Sequence, residues 1–499
     1  MSSTDTIECS QTATDFDLRE AAPVALAIKT YHLDRDEERK EEHWAMIGAF
    51  AEALDQHTLV IPEGSDDLET AIGKRTADID KDLSSGVNEI LHHARFQSLE
   101  ARWRGLRYLV RNTATSVGLQ LKVLDVSKAE LRKDAVGKKI TRSALYKKVY
   151  SEEYGILGGE PFSAILGDFE FGRQPEDIEL LSCISHLGAA AHAPFLAAPS
   201  PDLMNMDSWT DLENQISLPK LFDEPGYAKW RAFRESDDAR YVALALPRML
   251  LRLPYGQDAT RVEGFGFEEA LAGRHDRYLW GNAAYALAAR ITDAFALHKW
   301  CAAIRGVQGG GLVEDLPLHT FITGAGDMAI KCPIEISLTG AQESELSELG
   351  FIPLVHYKKT DQAAFMETRS CHKPQIYDTA EANANASLST QLQYILAVSR
   401  FAHYLKVITR DTIGAFKSRA EMEDMLNRWI DQYVLHADYG NQEMKARHPL
   451  REARVEVIEL PDRPGVYHAV CYLRPHFQLN GLSIAMRLVA QLPPRLNAQ

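Results

Sequence analysis

From Leu119 to Asp378 the sequence changes period again and again. Short strand-like runs, LQLKVLDV, FSAILGDF, AAHAPFLAA, ARYVALAL, EISLT and FIPLVHY, are separated by stretches with helical spacing. Apolar runs of that length, with helices between them, pack as helix layered on sheet. The expected fold class is therefore α/β, or mixed α+β, with a layered body. One long helix candidate, Asn282 to Ile304, carries Ala, Leu, Phe and Trp around Arg290, Asp293 and Lys299. It stops at the glycine-rich GVQGGG, Gly306 to Gly311.

The flanks read differently. Residues 1–45 are polar and acidic, contain Pro23 and end in the charge run DRDEERKEEH, the composition of a mobile, solvated tail. In 46–118, apolar residues return at helical spacing from Trp44 to Leu54. HTLVIPEG (His57 to Gly64) then reads as a β-branched strand closed by Pro62 and Gly64, with no hairpin partner nearby. A helical stretch from Leu68 to about Thr115 puts Leu99, Trp103, Leu106 and Val110 on one stripe, the spacing of a core-facing side. Arg102, Arg104 and Arg107 read as a solvated face, the alternative being contact with acidic surfaces of a partner. The body occupies 119–378. In 379–499, Leu388, Leu392, Ile395, Ala402 and Leu405 mark an amphipathic helix, and Arg419 to Val434 a second. ARVEVIEL and VYHAVCYLR, joined by PDRPG, read as a β-hairpin, and LSIAMRLVAQL is a further strand candidate.

With 499 residues, 45% hydrophobic and 25% charged, the chain has the balance of a globular protein with a large core. Its net charge of −15 opposes polyphosphate backbones and anionic bilayers, so neither nucleic acid nor membrane insertion is expected. The longest nearly apolar run, Leu187 to Ala198, is broken by His192 and Pro194 and falls short of the ~20 residues a membrane-spanning helix needs. Asp5, Glu8, Asp15 and Asp17 precede the first basic residue, Arg19, which is unlike the basic opening of a secretory signal; a cytoplasmic location is expected. The six cysteines are widely spaced, as suits reduced, mostly buried thiols and not a zinc site.

Candidate chemistry is sparse. Gly309 to Gly311 could cradle a phosphate, but Glu314 and Asp315 follow where a lysine is usual, and two carboxylates would oppose the anion. GILGGEPF from Gly155 reads as a turn. His403 and Asp411 would lie about 12 Å apart along a helix, too far to share a hydrogen bond. Cys371 and His372 are adjacent and would have to converge in space to act as a thiolate pair. His92 and His93 point about 100° apart on a helix. Asp237 and Asp238 read as a cap before a buried strand, with Arg248 and Arg252 as ion-pair partners. No catalytic residue, metal ligand or cofactor site is expected. The rival reading is a soluble α/β enzyme acting on a phosphorylated substrate at the glycine loop; a third is a scaffold that binds partners without contracting.

Longer words carry more. LEARWRGLRYLV (Leu99 to Val110), EEYGILGGEPFSAILGDFEFG (Glu152 to Gly172), SDDARYVALALPRMLLRLPYG (Ser236 to Gly256), ELGFIPLVHYKKTDQAAF (Glu348 to Phe365) and SRFAHYLKVITRDTIG (Ser399 to Gly414) together resemble the large subunit of the type VI secretion contractile sheath, the TssC or VipB family. The resemblance runs from roughly Ile47 to Pro493.

It implies a phage-tail-sheath-like structural protein of a Gram-negative bacterium. Such a subunit pairs with a small sheath subunit of the TssB/VipA kind and polymerises with itself around an Hcp-like inner tube. It docks on a baseplate, contracts to propel the tube, and is recycled by the AAA+ unfoldase ClpV. The resemblance also implies strand linkage between subunits, the C-terminal hairpin receiving an N-terminal arm strand from a neighbour and a strand from the small subunit. The arm strand would be Thr58, Leu59, Val60 and Ile61. The accepting hairpin would carry Val455, Val457, Ile458, Leu460, Val466, Tyr467, Val470 and Tyr472. The candidate unfoldase-binding tail is Phe16, Leu18, Val24, Leu26 and Ile28, within which Pro23 would interrupt a helix.

Overall fold

The computed structural model describes residues 65–476 except 117, 138, 155, 157, 215–217, 257–259, 263–264, 323–325, 412–417, 436–440 and 460–466. The helix expected from Trp44, the strand at His57 to Gly64 and the strand candidate Leu482 to Leu492 lie outside the described residues. Two units are distinguished, residues 1–93 with 254–270, and residues 94–253 with 271–499.

In the first unit, helix α1 (Ser65–Leu91) presents Asn88 to an extended segment of its own unit. The Asn88 amide donates to Glu268 O (3.2 Å) while its Oδ1 accepts from Ala270 N (2.8 Å). Those are the groups a neighbouring strand would otherwise satisfy, and leaving them unpaired would be costly. His92 Nε2 lies 3.3 Å from Glu269 Oε1.

The second unit opens with α2 (Ala94–Arg111), so the helix expected from Leu68 to Thr115 is in fact two helices. Of the stripe expected to face the core only Leu106 does so, packing part-buried against the core that holds Leu109 and Tyr285. Leu99, Trp103 and Val110 are 53%, 66% and 49% exposed, and Leu109 is buried instead. The reason is Gly105. A Cβ there would collide with the ring of Tyr285, so the helix approaches most closely on its glycine side and turns Trp103 outward. Glu100 anchors the same helix, accepting from Arg104 Nε (2.6 Å) and Arg252 Nε (2.8 Å).

The body is a sheet of β1 (Ile165–Phe171), β2 (Phe195–Pro199), β3 (Val242–Leu246), β4 (Leu312–Val313), β5 (Ile352–His356) and β6 (Ala363–Phe365), in the spatial order β1-β2-β3-β5-β6-β4. β1 to β5 pair in parallel along that order, and β6 is antiparallel to both neighbours. Every residue of β2 and β3 is buried, as expected of parallel strands covered on both faces. Phe195, Ala197, Val242, Leu244 and Leu246 face α3 (Pro175–Ala191) and an aromatic group around Trp230 and Phe351. Leu196, Ala243, Ala245, Ile352 and Leu354 face the alanine-rich α4 (Ala284–His298). The runs FSAILGDF, AAHAPFLAA, ARYVALAL and FIPLVHY thus supply four of the strands. LQLKVLDV and EISLT supply none; Ile336 and Leu338 are buried as core-filling residues of a segment outside the sheet.

After the body come α5 (Leu392–Asp411), α6 (Arg419–Asp431), β7 (Leu450–Glu459) and β8 (Tyr467–Pro475). α5 belongs to two cores. Leu392 and Leu396 sit in the body core beside α4, whereas Phe401 and Leu405 sit with Trp300, Leu426, Ile430, Val455 and Val457 in a second core. Trp300 stacks on Phe401 with ring centroids 4.4 Å apart, and Tyr433 stands edge-on at 5.1 Å. Midway along α5, His403 Nε2 donates to Ala191 O at the end of α3 (3.0 Å), a carbonyl that also accepts from Tyr154 Oη (2.7 Å).

Burial holds His403 and its neighbour His192 neutral, each lowered to about 4 from the usual imidazole value. The unfolded chain binds these protons more readily than the folded one. Their contribution to stability is therefore complete above about pH 6.5 and is lost as pH falls through about 4, on the order of 1 to 2 kcal/mol each by pH 5. Thermal melting from pH 8 to pH 4 should show this decline, and His403→Gln, which keeps a donor for Ala191 O but cannot titrate, should flatten it. An unchanged slope would locate the pH dependence elsewhere.

Truncating Trp300 removes the ring shared by α5 and the hairpin core. Trp300→Ala should cost about 3 to 5 kcal/mol and open 450–475 to limited proteolysis before the body sheet is cut. Simultaneous loss of both regions would show that they are not separable in this way.

Candidate assembly interface

β7 and β8 form a two-stranded antiparallel sheet in which Val455 lies opposite Cys471 and Val457 opposite Ala469. Alternation gives the sheet two unlike faces. Val455 and Val457 are buried against α5 and α6, with Ala453, Cys471 and Leu473 packed at the same core. Ile458 and Tyr472 are 47% and 56% exposed on the other face, alongside Val470. Arg454 pairs there with Glu456 at 2.8 Å. Of the hairpin residues expected to link subunits, Val455 and Val457 thus hold the fold, and Ile458, Val470 and Tyr472 are presented outward. Tyr467 opens β8. Leu460 and Val466, with the whole arm strand Thr58 to Ile61 and the tail Phe16 to Ile28, lie outside the described residues.

The two edges also differ. At β7, the Asn427 amide of α6 donates to Val455 O (2.8 Å), and its Oδ1 accepts from Val455 N (2.8 Å). Glu423 Oε2 accepts from Val457 N (3.1 Å). Since Val455 turns its polar groups away from β8, the alternation of an antiparallel ladder turns those of Cys471, Ala469 and Leu473 away from β7. No partner for these outward groups of β8 occurs among the described residues. Sequence spacing gave no sign of the helix side chains that meet β7, because they come from a separate element about thirty positions away.

The residues weighed for chemistry are occupied structurally. In the glycine loop, Gly306 N donates to Phe365 O (2.7 Å) and Gly311 N to Gly306 O (2.9 Å). Gly310 has φ +88°, and a side chain there would collide with Ala303 O. Cys371 is buried, which pushes its thiol up to about 12, and the adjacent His372 Nδ1 faces Ser236 O at 2.9 Å. The ion pairs expected between Asp237, Asp238, Arg248 and Arg252 do not form. Asp237 pairs with Arg240, Asp238 with His186, Arg248 with Glu170 and Arg252 with Glu100, because Asp237 and Asp238 lie in the 3-10 turn before β3 and the two arginines lie beyond its end.

Comparison with known proteins covers most of the chain. The VipB family, described as "EvpB/VC_A0108, tail sheath N-terminal domain", matches residues 73–372, and VipB_2, "EvpB/VC_A0108, tail sheath gpW/gp25-like domain", matches 381–492. The chain is 47% identical over 447 residues to the type VI secretion system sheath protein TssC1 of Pseudomonas aeruginosa strain PAO1, covering 88% of this chain and 89% of that protein. A chain in the anti-feeding prophage baseplate structure shares 10% identity, with a TM-score of 0.38 over 74% of this chain and 83% of that one. One in the contracted sheath of the same prophage shares 11%, with a TM-score of 0.29 over 62% and 66%. The chain belongs to the TssC/VipB family of type VI secretion sheath proteins.

Proposed function

We propose that this chain is the large half of a sheath heterodimer. It pairs in the cytoplasm with a small subunit of the TssB/VipA kind, and the pairs stack into a tube around an Hcp-like inner tube and dock on a baseplate. Contraction of that tube drives the inner one outward. Release of contracted subunits by ClpV would use the tail Phe16, Leu18, Val24, Leu26 and Ile28. The domain division 1–45, 46–118, 119–378 and 379–499 follows the same reading, with the hairpin region as the linkage module.

The observation that supports this reading is the hairpin itself. A short sheet with exposed apolar side chains on its outer face and an open edge is an aggregation hazard for a solitary protein and a joining device for a polymer. The segment Thr58 to Ile61 has an apolar pattern on both faces and suits such an edge. Each backbone hydrogen bond gained contributes a net ~0.5 to 1.5 kcal/mol, so a few per subunit, repeated along a lattice, tie it together.

Co-production with the small subunit followed by electron microscopy is the direct test, and long tubes are expected. Val60→Pro, which removes one ladder donor outside the body, should leave a folded heterodimer but no long tubes. Val457→Pro, which also loses the bond to Glu423, should damage the fold further. An Asp5→Pro control should assemble normally. Tubes of control length and number from Val60→Pro would remove the arm strand from the linkage.

A further inference from the structure

An antiparallel hairpin ordinarily has two edges at which a strand can be added. Here one is blocked at its middle, by side chains. A carboxamide has the same planar donor–acceptor pair as a peptide group, and Asn427 uses both halves of it on one residue of β7, accepting from Val455 N and donating to Val455 O. Its second amide hydrogen goes to Glu423 O in its own helix (2.9 Å), which fixes the rotamer. Glu423 then takes the next outward donor, Val457 N. Both side chains sit on α6, whose Leu426 and Ile430 are buried in the hairpin core, so they are held where an incoming strand would have to lie.

We infer that Asn427 and Glu423 are positioning residues that close the β7 edge, so that a strand added to this sheet enters across β8 alone. The inference rests on the proposed linkage of subunits through this hairpin and specifies its side. At β8 the outward groups belong to Ala469, Cys471 and Leu473. Cys471 and Leu473 face the helical core and Val470 and Tyr472 the exposed side, so the space beyond that edge is bordered by apolar side chains on both faces. A strand that fits there needs apolar residues at successive positions, not only at alternate ones. Leu59-Val60-Ile61 of a second copy has them. Closing one edge also gives each hairpin a single direction of growth, which prevents two hairpins from joining indiscriminately at whichever edge meets first.

Disulfide mapping in tubes co-produced with the small subunit tests the side of entry. Leu59→Cys or Val60→Cys would be combined with Val470→Cys or Tyr472→Cys on β8, and separately with Arg454→Cys or Glu456→Cys on β7; the unsubstituted chain controls for native thiols. Linked dimers are expected from the β8 pairs at a yield at least about tenfold above the β7 pairs, as follows from an edge whose central backbone groups, Val455 N and O and Val457 N, are already taken. Adding Asn427→Ala and Glu423→Ala should raise the β7 yield toward that of β8. Should that double variant not fold, Asn427→Asp, which keeps the acceptor and loses the donor, gives a milder version, and the comparison with both side chains intact stands without either. Equal or greater linkage at β7 with Asn427 and Glu423 present overturns the inference while leaving strand linkage in place. Tubes that form with no linkage at any pair overturn strand linkage itself, and this inference with it.

Discussion

Helix α5 is the constraint on which the rest of the second unit depends. Its first turns complete the core beneath the parallel sheet through Leu392 and Leu396, and its later turns complete the hairpin core through Phe401 and Leu405. A helix is stiff over this length, so the position and tilt of the hairpin are set by the sheet with no loop intervening. Along it, His403 reaches the last carbonyl of α3 and Arg400 lies over the ring of Phe295 on α4, and these contacts to neighbouring helices fix the rotation of α5 about its axis. The matched sheath domains meet at 372 and 381, just before α5. Packed side chains nevertheless run without a break from the hairpin core through α5 to the body core, across the boundary drawn by sequence similarity.

The same economy of contact recurs at extended segments. Asn88 satisfies Glu268 and Ala270, and Asn427 satisfies Val455, each replacing a strand by one planar side chain. The device suits places where the backbone must be extended but the sheet must not continue. A full strand would add apolar surface and a new edge; an asparagine on a packed helix adds neither. Its cost is sensitivity to substitution, since removing the carboxamide leaves a donor and an acceptor unpaired together.

Much of the fold was legible because parallel strands covered on both faces read as continuous apolar runs. Ala-Arg-Tyr-Val-Ala-Leu-Ala-Leu and Phe-Ile-Pro-Leu-Val-His-Tyr are of that kind, and each became a strand. LQLKVLDV, in which Gln120, Lys122 and Asp125 interrupt the apolar residues, became none, with Val123 and Leu124 largely exposed; apolar spacing alone does not say whether a ladder partner is within reach. The stripe on α2 failed for a sharper reason. Its spacing was right for an amphipathic helix, but a single glycine decided which side could come closest to Tyr285, and residues without side chains are invisible to a pattern of apolar ones. The hairpin was located to within a few residues. What could not be read was its asymmetry, since the closing groups belong to a helix that the hairpin meets only after folding.

The outward rotation of α2 has an optical consequence. Trp209, Trp230 and Trp300 are sealed inside the protein, whereas Trp103 is 66% exposed, so its indole emits from a largely aqueous surrounding. It is the most exposed of the described tryptophans, ahead of the part-exposed Trp280 and Trp429, and so the one of them that small solutes should quench most readily. The residue that sequence periodicity assigned to the core is thereby a built-in reporter for whatever covers that face of the helix.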